Sequence, residues 1–590
     1  MKIATLILCS TLVLGACSKE AQPPAAAEPA AAPAQAPWAD FVTGAIDEYY
    51  ALNPEVAVYA GKHEYDGQAS DLSLEAVEAY VEWIDETVAA ASAYVDLEGI
   101  EAFERDYLVQ ALRSDRFYVA DSGFVRNNPV SYMGKLGFGV YVDREYAPLP
   151  ERLARYTTYI AEVPGMLAQM RDNLEPPLPA PYVDTAHGMF AGLADYLGNT
   201  VPGLFAGVED AELQGRFAAA NSAAVAAVEE TADWLETLKA DATDDFALGE
   251  AKFLKMLADT QGIDISLAEL KAAGQLDLER NLAALEAACA AYAPGATVGE
   301  CVLEVKAEKP AEGAVAGAER QLPMLKEFVV GHDLVSIPGT EDALVDEAPP
   351  HRRFNAAYID IPGPFESGLP SVYYIAPPDP EWSEEDQLAY VPGEADLLAI
   401  SVHEVWPGHF LQFLHANRAD NRVGRHFSTY TFVEGWAHYT EEMMVEAGLA
   451  ESRPEVRIGQ LLNALLRNVR YLSAIGLHAG DMTVAESQAL FEDKAFQDFG
   501  NATQQANRGT YDPGYLNYTL GKLMIMKLRE DWTAGRGGRE AWKSFHDGLL
   551  GYGSPPIPLV REQMLGAGYD GDAALLPSPT VDESTYPSPN

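Results

Sequence analysis

From Trp38 to about Val330, apolar residues recur mostly at i, i+3 and i+4, the spacing that lines one face of a helix. Leu72 to Val95 opens with Ser73 near acidic residues, as a capped helix would. Glu101 to Val119, Pro150 to Leu174, Ala211 to Leu238, Phe246 to Leu257 and Ser266 to Ala291 follow the same rule. Pro and Gly clusters divide them, as at Pro176-Pro177-Leu178-Pro179 and Pro202-Gly203. No unit of fixed period repeats. None of these stretches gathers metal-capable side chains, so 38–330 reads as a helical scaffold lobe. Between about Leu334 and Pro392 the texture changes. Tyr358-Ile359-Asp360-Ile361 and Val372-Tyr373-Tyr374-Ile375 are β-rich runs bounded by Pro and Gly, and predict strands of a small sheet. Helical spacing returns at Gly393 and Glu394, with Leu397, Leu398, Ile400 and Val402 as the apolar positions. The expected fold class is therefore mainly α.

Composition narrows the picture. About 550 residues with 48% hydrophobic content can bury a large core in one big domain or in lobes. Forty basic against 89 acidic side chains give a net charge of −49. That balance argues against nucleic acid as a partner, and against adhesion of the protein surface to anionic lipid. At the N-terminus, Lys2 precedes an apolar run from Ile3 to Leu14, too short for a permanent membrane helix and suited to a secretory signal. Leu14-Gly15-Ala16-Cys17 resembles the bacterial lipobox. The resemblance implies cleavage before Cys17, leaving 1–16 as signal peptide, with lipid on the Cys17 thiol and the protein held at the envelope, on the periplasmic face of the outer membrane; an ordinary signal peptide cut nearby is the alternative. Residues 17–37, almost entirely Ala, Pro, Glu and Gln, read as a disordered tether, and 577–590, rich in Pro and Ser, as a disordered tail. Cys289 and Cys301 flank a short Ala/Pro/Gly stretch and are expected to close it as a disulfide in an oxidising compartment.

The chemistry concentrates in 331–576. His403-Glu404-Val405-Trp406-Pro407-Gly408-His409 places two imidazoles and a carboxylate within seven residues. In H-E-x-x-H sites the two His lie at i and i+4 on one helical face. Here the second comes at i+6, about 240° away on an ideal helix. Pro407 would clash with the carbonyl of His403, and Gly408 tolerates unusual dihedrals, so a kink is expected to swing His409 back. Glu434, His438 and Glu441, at i, i+4 and i+7, share a face 25 residues later. Two His and one Glu are an established zinc set, which makes His403, His409 and Glu434 the expected ligands of one Zn2+. Glu404 would take a proton from the attacking water and pass it to the leaving amine. Glu441 and His438 would orient the ligands, with a satisfied helix histidine the alternative for His438.

HExxPGH, Glu434-Gly435-Trp436-Ala437-His438-Tyr439 and Gly476-Leu477-His478 together resemble a large bacterial family catalogued as a domain of unknown function, whose members are often predicted lipoproteins. That family is similar to the mostly helical gluzincin metallopeptidases. The resemblance implies a zincin-like helical fold with an internal cleft and a peptidase activity of carboxypeptidase or dipeptidyl-peptidase type. Two positions depart from the pattern: the family usually has Leu at 438, and often an Asp-Thr pair at Ala474-Ile475. An edge strand near the metal in such folds pairs with extended peptide, which would make Tyr373 a substrate contact; a structural hairpin is the alternative. Arg457 to Ala479 reads as a helix whose Arg467 and Arg470 could clamp a peptide carboxylate, with Arg508 and Tyr511 beside them, or form ion pairs. Tyr518 and His478, with Tyr511 in reserve, are the expected oxyanion donors, and buried tyrosines with satisfied hydroxyls are the alternative. Phe545-His546-Asp547 reads as structural. The function expected is hydrolysis of short peptides, against a catalytically silent envelope lipoprotein that binds peptide or metal, or an amidase acting on another amide.

Overall fold

Helical spacing becomes helix over most of the residues described, which in this computed structural model are 36–577 apart from 350, 351, 354, 355, 381, 567 and 570. The leader, Cys17 and nearly all of the tether and tail lie outside them. Capping sets the ends. Asp210 accepts hydrogen bonds from the N–H groups of Glu212 and Leu213 and starts Ala211–Leu238. Ser266 and Glu269 form a capping box at the head of helix α1, Leu267–Tyr292. Pro150 to Leu174, expected as one helix, is two: Leu149–Ile160 and Val163–Asn173. Pro164, which has no N–H to give, sits in the first turn of the second, where none is needed.

Three short strands form the sheet, β1 (Leu344–Glu347), β2 (Ala357–Asp360) and β3 (Val372–Ile375). Their order is β1-β3-β2, with β3 parallel to β1 and antiparallel to β2. Tyr373 is thus on the central strand, fully buried. Both of its backbone edges are taken, so the expectation that an extended peptide pairs with this strand at Tyr373 is corrected.

Six further helices carry the site: α2 (Glu394–Glu404), α3 (His409–Ala416), α4 (Tyr430–Glu446), α5 (Pro454–Ala479), α6 (Phe499–Tyr511) and α7 (Asn517–Thr533). The apolar core around them also takes in Phe253 to Val329, so packing does not divide the chain at residue 330 as the sequence suggested. The reason is α1, which lies along α5: Tyr471 donates its hydroxyl hydrogen to the Leu270 carbonyl. Cys289, near the end of α1, is bonded to Cys301 of the next helix. Buried Lys522 of α7 reaches Asp277 of α1 at 2.7 Å and Glu442 of α4 at 3.4 Å, and Asn468 of α5 donates to Asp277. A satisfied polar network of this kind fixes how four helices register, because any slip would strand a buried charge.

Helices α4 and α7 cross where Gly435 meets Gly521. A Cβ on Gly521 would fall 1.9 Å from the Thr431 carbonyl oxygen, and one on Gly435 would fall 2.5 Å from the Gly521 Cα. This contact lays Tyr518, three residues before Gly521, beside Glu434. Gly521→Ala should therefore destabilise the protein by about 1–3 kcal/mol through overpacking, read as a lower denaturation midpoint.

Candidate metal centre

The predicted kink is a full break. Helix α2 stops at Glu404 and α3 begins at His409, with a cis peptide between Trp406 and Pro407. Gly408 allows the turn to close, since a Cβ there would lie 1.7 Å from the His403 carbonyl oxygen. Its N–H donates to the Val402 carbonyl at 3.0 Å. The Trp436 indole N–H donates to the Pro407 carbonyl at 2.9 Å and ties the turn to α4. This brace comes from the second motif, and the sequence reading overlooked it.

The break brings the rings of His403 and His409 to 4.7 Å between centres, near perpendicular. Glu434 Oε2 lies 3.3 Å from His403 Nε2 and 3.4 Å from His409 Nε2. One donor atom from each of the three falls within 4.8 Å of the others, close enough to hold a metal ion. Glu434 Oε2 is buried and lacks the alignment of a hydrogen bond to either ring. Burial opposes its charge, yet the His409 and His403 imidazoles outweigh that and hold the carboxyl well below its ordinary value. His409 Nδ1 has no hydrogen-bond partner among the described residues.

Glu441 orients the set. Its Oε1 accepts from His403 Nδ1 at 2.7 Å, and its Oε2 lies 3.2 Å from His438 Nδ1. Arg467 lies 3.3 Å from the same carboxylate. Burial works against the Glu441 charge, but Arg467 and the two imidazoles pull its carboxyl far below the usual range. At His403, burial and Arg467 oppose protonation; the adjoining Glu434 and Glu441 carboxylates prevail and raise the imidazole to about 9. Burial, the foremost influence on His438, pushes it down to about 4 and keeps it neutral. Glu404 is buried at the end of α2, with its charge felt by the Tyr373 hydroxyl.

Tyr518 stacks 6.2 Å from the His403 ring, and its hydroxyl makes no hydrogen bond to a described residue. Arg470 and Arg467 lie over that phenol at 5.1 and 5.6 Å. Arg508 is paired with Asp512 at 2.9 Å and donates to the Tyr430 hydroxyl, and Tyr430 in turn packs edge-on against Tyr518. One expected site residue falls elsewhere. His478 stands three turns beyond Arg467 on α5, about 16 Å along the axis. There its Nε2 meets the Gly509 carbonyl at 2.7 Å and its ring stacks on Phe253, with burial pushing it down to about 4. Tyr511 packs against the apolar cluster of residues 58–235. The assignment of His478 as oxyanion donor is corrected by the length of a helix. His546 is held between the Tyr439 hydroxyl and the Leu334 carbonyl, in keeping with a structural part.

The family model for bacterial protein of unknown function DUF885 matches residues 54–564. Among solved structures, a candidate lipoprotein of unknown function from Shewanella oneidensis is similar at TM-score 0.74 and 23% identity, over 90% of this chain and 100% of that one. A candidate lipoprotein from Colwellia psychrerythraea is similar at TM-score 0.74 and 16% identity, over 89% of this chain and 98% of that one. At these identities the likeness is one of fold. No curated protein matches the chain.

Proposed function

We propose that this chain, which belongs to the DUF885 family of bacterial proteins of unknown function, is a zinc-dependent peptidase acting on short peptides at the cell envelope. The observation that carries the reading is the convergence of His403, His409 and Glu434 beside Glu404. Two ligands 2.0–2.1 Å from a tetrahedral zinc stand about 3.3 Å apart. The two imidazole-to-Glu434 separations, 3.3 and 3.4 Å, fit that figure. A carboxylate oxygen buried without a hydrogen bond also suits a metal better than a structural ion pair.

Zinc, when bound, supplies Lewis-acid polarisation of a carbonyl and acidification of water. The chain's own residues do the rest. Glu404 accepts the proton of the attacking water and delivers it to the departing amine. Tyr518, with its hydroxyl uncommitted beside His403, donates a hydrogen bond to the carbonyl oxygen as charge grows there. Glu441 holds His403 so that Nε2 faces the cation. An internal cleft of the zincin type belongs to the same reading, as the family resemblance implies. Placement at the envelope rests on the leader and on the candidate-lipoprotein relatives, and no described helix is long and apolar enough to cross a membrane.

Metal analysis followed by hydrolysis of a peptide library, with and without chelator, tests the reading. One zinc per chain and chelator-sensitive cleavage are expected; bound zinc with no cleavage of any peptide would leave a binding protein. Metal capture should also depend on pH. Below about 9 the His403 proton must leave before the ring can ligate, so affinity should climb about tenfold per pH unit from pH 6.5 to 9. Calorimetric titration in buffers of different ionisation enthalpy reads the released proton.

A further inference from the structure

Arg470 stands apart from the other cations around Tyr518. Arg467 has its counter-charge in Glu441 and Arg508 has its own in Asp512. Arg470 is 8% exposed, and its one hydrogen bond runs from Nε to the neutral Gln505 side chain at 2.8 Å. No carboxylate pairs with it among the described residues. A buried cation left uncompensated is costly, and proteins keep one where a ligand completes it. With Nε anchored, the two terminal nitrogens remain as a planar fork, the shape that grips a carboxylate through two parallel hydrogen bonds.

We propose that the Arg470 guanidinium receives the α-carboxylate at the C-terminus of a bound peptide, so that the enzyme trims peptides from the carboxyl end. The inference rests on the peptidase reading above. Its geometry is set by one ring: the guanidinium lies 5.1 Å from the centre of Tyr518, and that ring lies 6.2 Å from His403. An extended chain advances about 3.5 Å per residue. The guanidinium therefore stands within about 11 Å of the His403 ring, a span of at most about three extended residues, so a carboxylate on Arg470 sets a bond close to the C-terminus at the metal centre. The phenol that would steady the reacting carbonyl is the same one the cation covers, so terminus and scissile bond are gauged against a common side chain. Charge agrees. The chain carries −49 overall and repels anions at large. Burial, and then Arg508, draw Arg470 down to about 10, so a negative group arriving there relieves repulsion that already exists.

Binding separates this idea from turnover. In the full-length, zinc-loaded Glu404→Gln protein, a blocked tripeptide is titrated as free acid, as C-terminal amide, and as an amide ending in glutamate. The free acid should bind about 10- to 100-fold tighter than either amide. Adding Arg470→Met should reduce that preference to within about threefold without lowering zinc content. Arg470→Lys, which keeps charge but loses the fork, should fall between and guards against a Met variant that misfolds. Equal affinity for acid and amide, or no binding of any form, would overturn the proposal. So would a preference that survives Arg470→Met, or a glutamate amide matching the free acid, which would assign the guanidinium to a side chain. Wild-type enzyme that cleaves acids and amides alike keeps the peptidase reading and removes this one. Selective binding of acids with no cleavage removes the peptidase reading, and trimming with it, and leaves Arg470 as a carboxylate-binding site alone.

Discussion

Replacing Glu404 with Gln should leave one zinc per chain and reduce peptide turnover by about 10²–10⁴-fold, the range a positioned proton acceptor contributes. Glu404 adjoins a ligand yet forms no part of the converging set: His403, His409 and Glu434 are the donors that meet. Gln keeps the size of the side chain and loses the ability to take a proton. Metal content by elemental analysis and the thermal midpoint should therefore stay at wild-type values while hydrolysis falls. Turnover in the variant within a few-fold of wild type would remove Glu404 from the chemistry. Loss of zinc along with activity would instead place its carboxylate among the ligands.

Glu441→Gln should act through position and charge rather than through the reaction itself. Its carboxylate touches His403, His438 and Arg467, all buried. Neutralising it leaves Arg467 as an uncompensated cation in the core, a change worth about 3–5 kcal/mol of stability. It also leaves only a neutral acceptor for the His403 Nδ1–H that turns Nε2 inward, which should weaken zinc binding by about 10–100-fold. Denaturation of the metal-free variant reads the first effect, and competition with a chromogenic chelator reads the second. The two can be told apart because an Arg467→Met, Glu441→Gln double variant should recover much of the stability and little of the affinity. If the single variant is as stable as wild type, the carboxylate does not hold the site together.

The two motifs were readable because short-range spacing is a local property. Glu434, His438 and Glu441 share a helical face whatever surrounds them, and an imidazole, an imidazole and a carboxylate suit zinc wherever they meet. The helices of the first half were legible for the same reason, down to the ends of Ala211–Leu238. Local spacing could not tell where α5 would carry its residues. Arg467, Arg470 and His478 look equivalent in one dimension, and only the rise of the helix separates the first two, at the site, from the third, well away from it. Nor could it show that Tyr373 would occupy the middle strand, since strand order depends on partners remote in sequence.

The chain by itself determined the helical class, the residue types of the candidate metal set and the base proposed beside it, because those follow from periodicity and from the chemistry of single side chains. Tertiary structure decided that the His403 and His409 rings would face one carboxylate. It did so through a glycine that lets α2 end against its own carbonyl, a tryptophan from α4 that pins the turn, and a glycine-to-glycine crossing that lays Tyr518 alongside. Each of these is a close approach between segments, and steric fit between distant segments is a quantity that no local pattern of residues encodes.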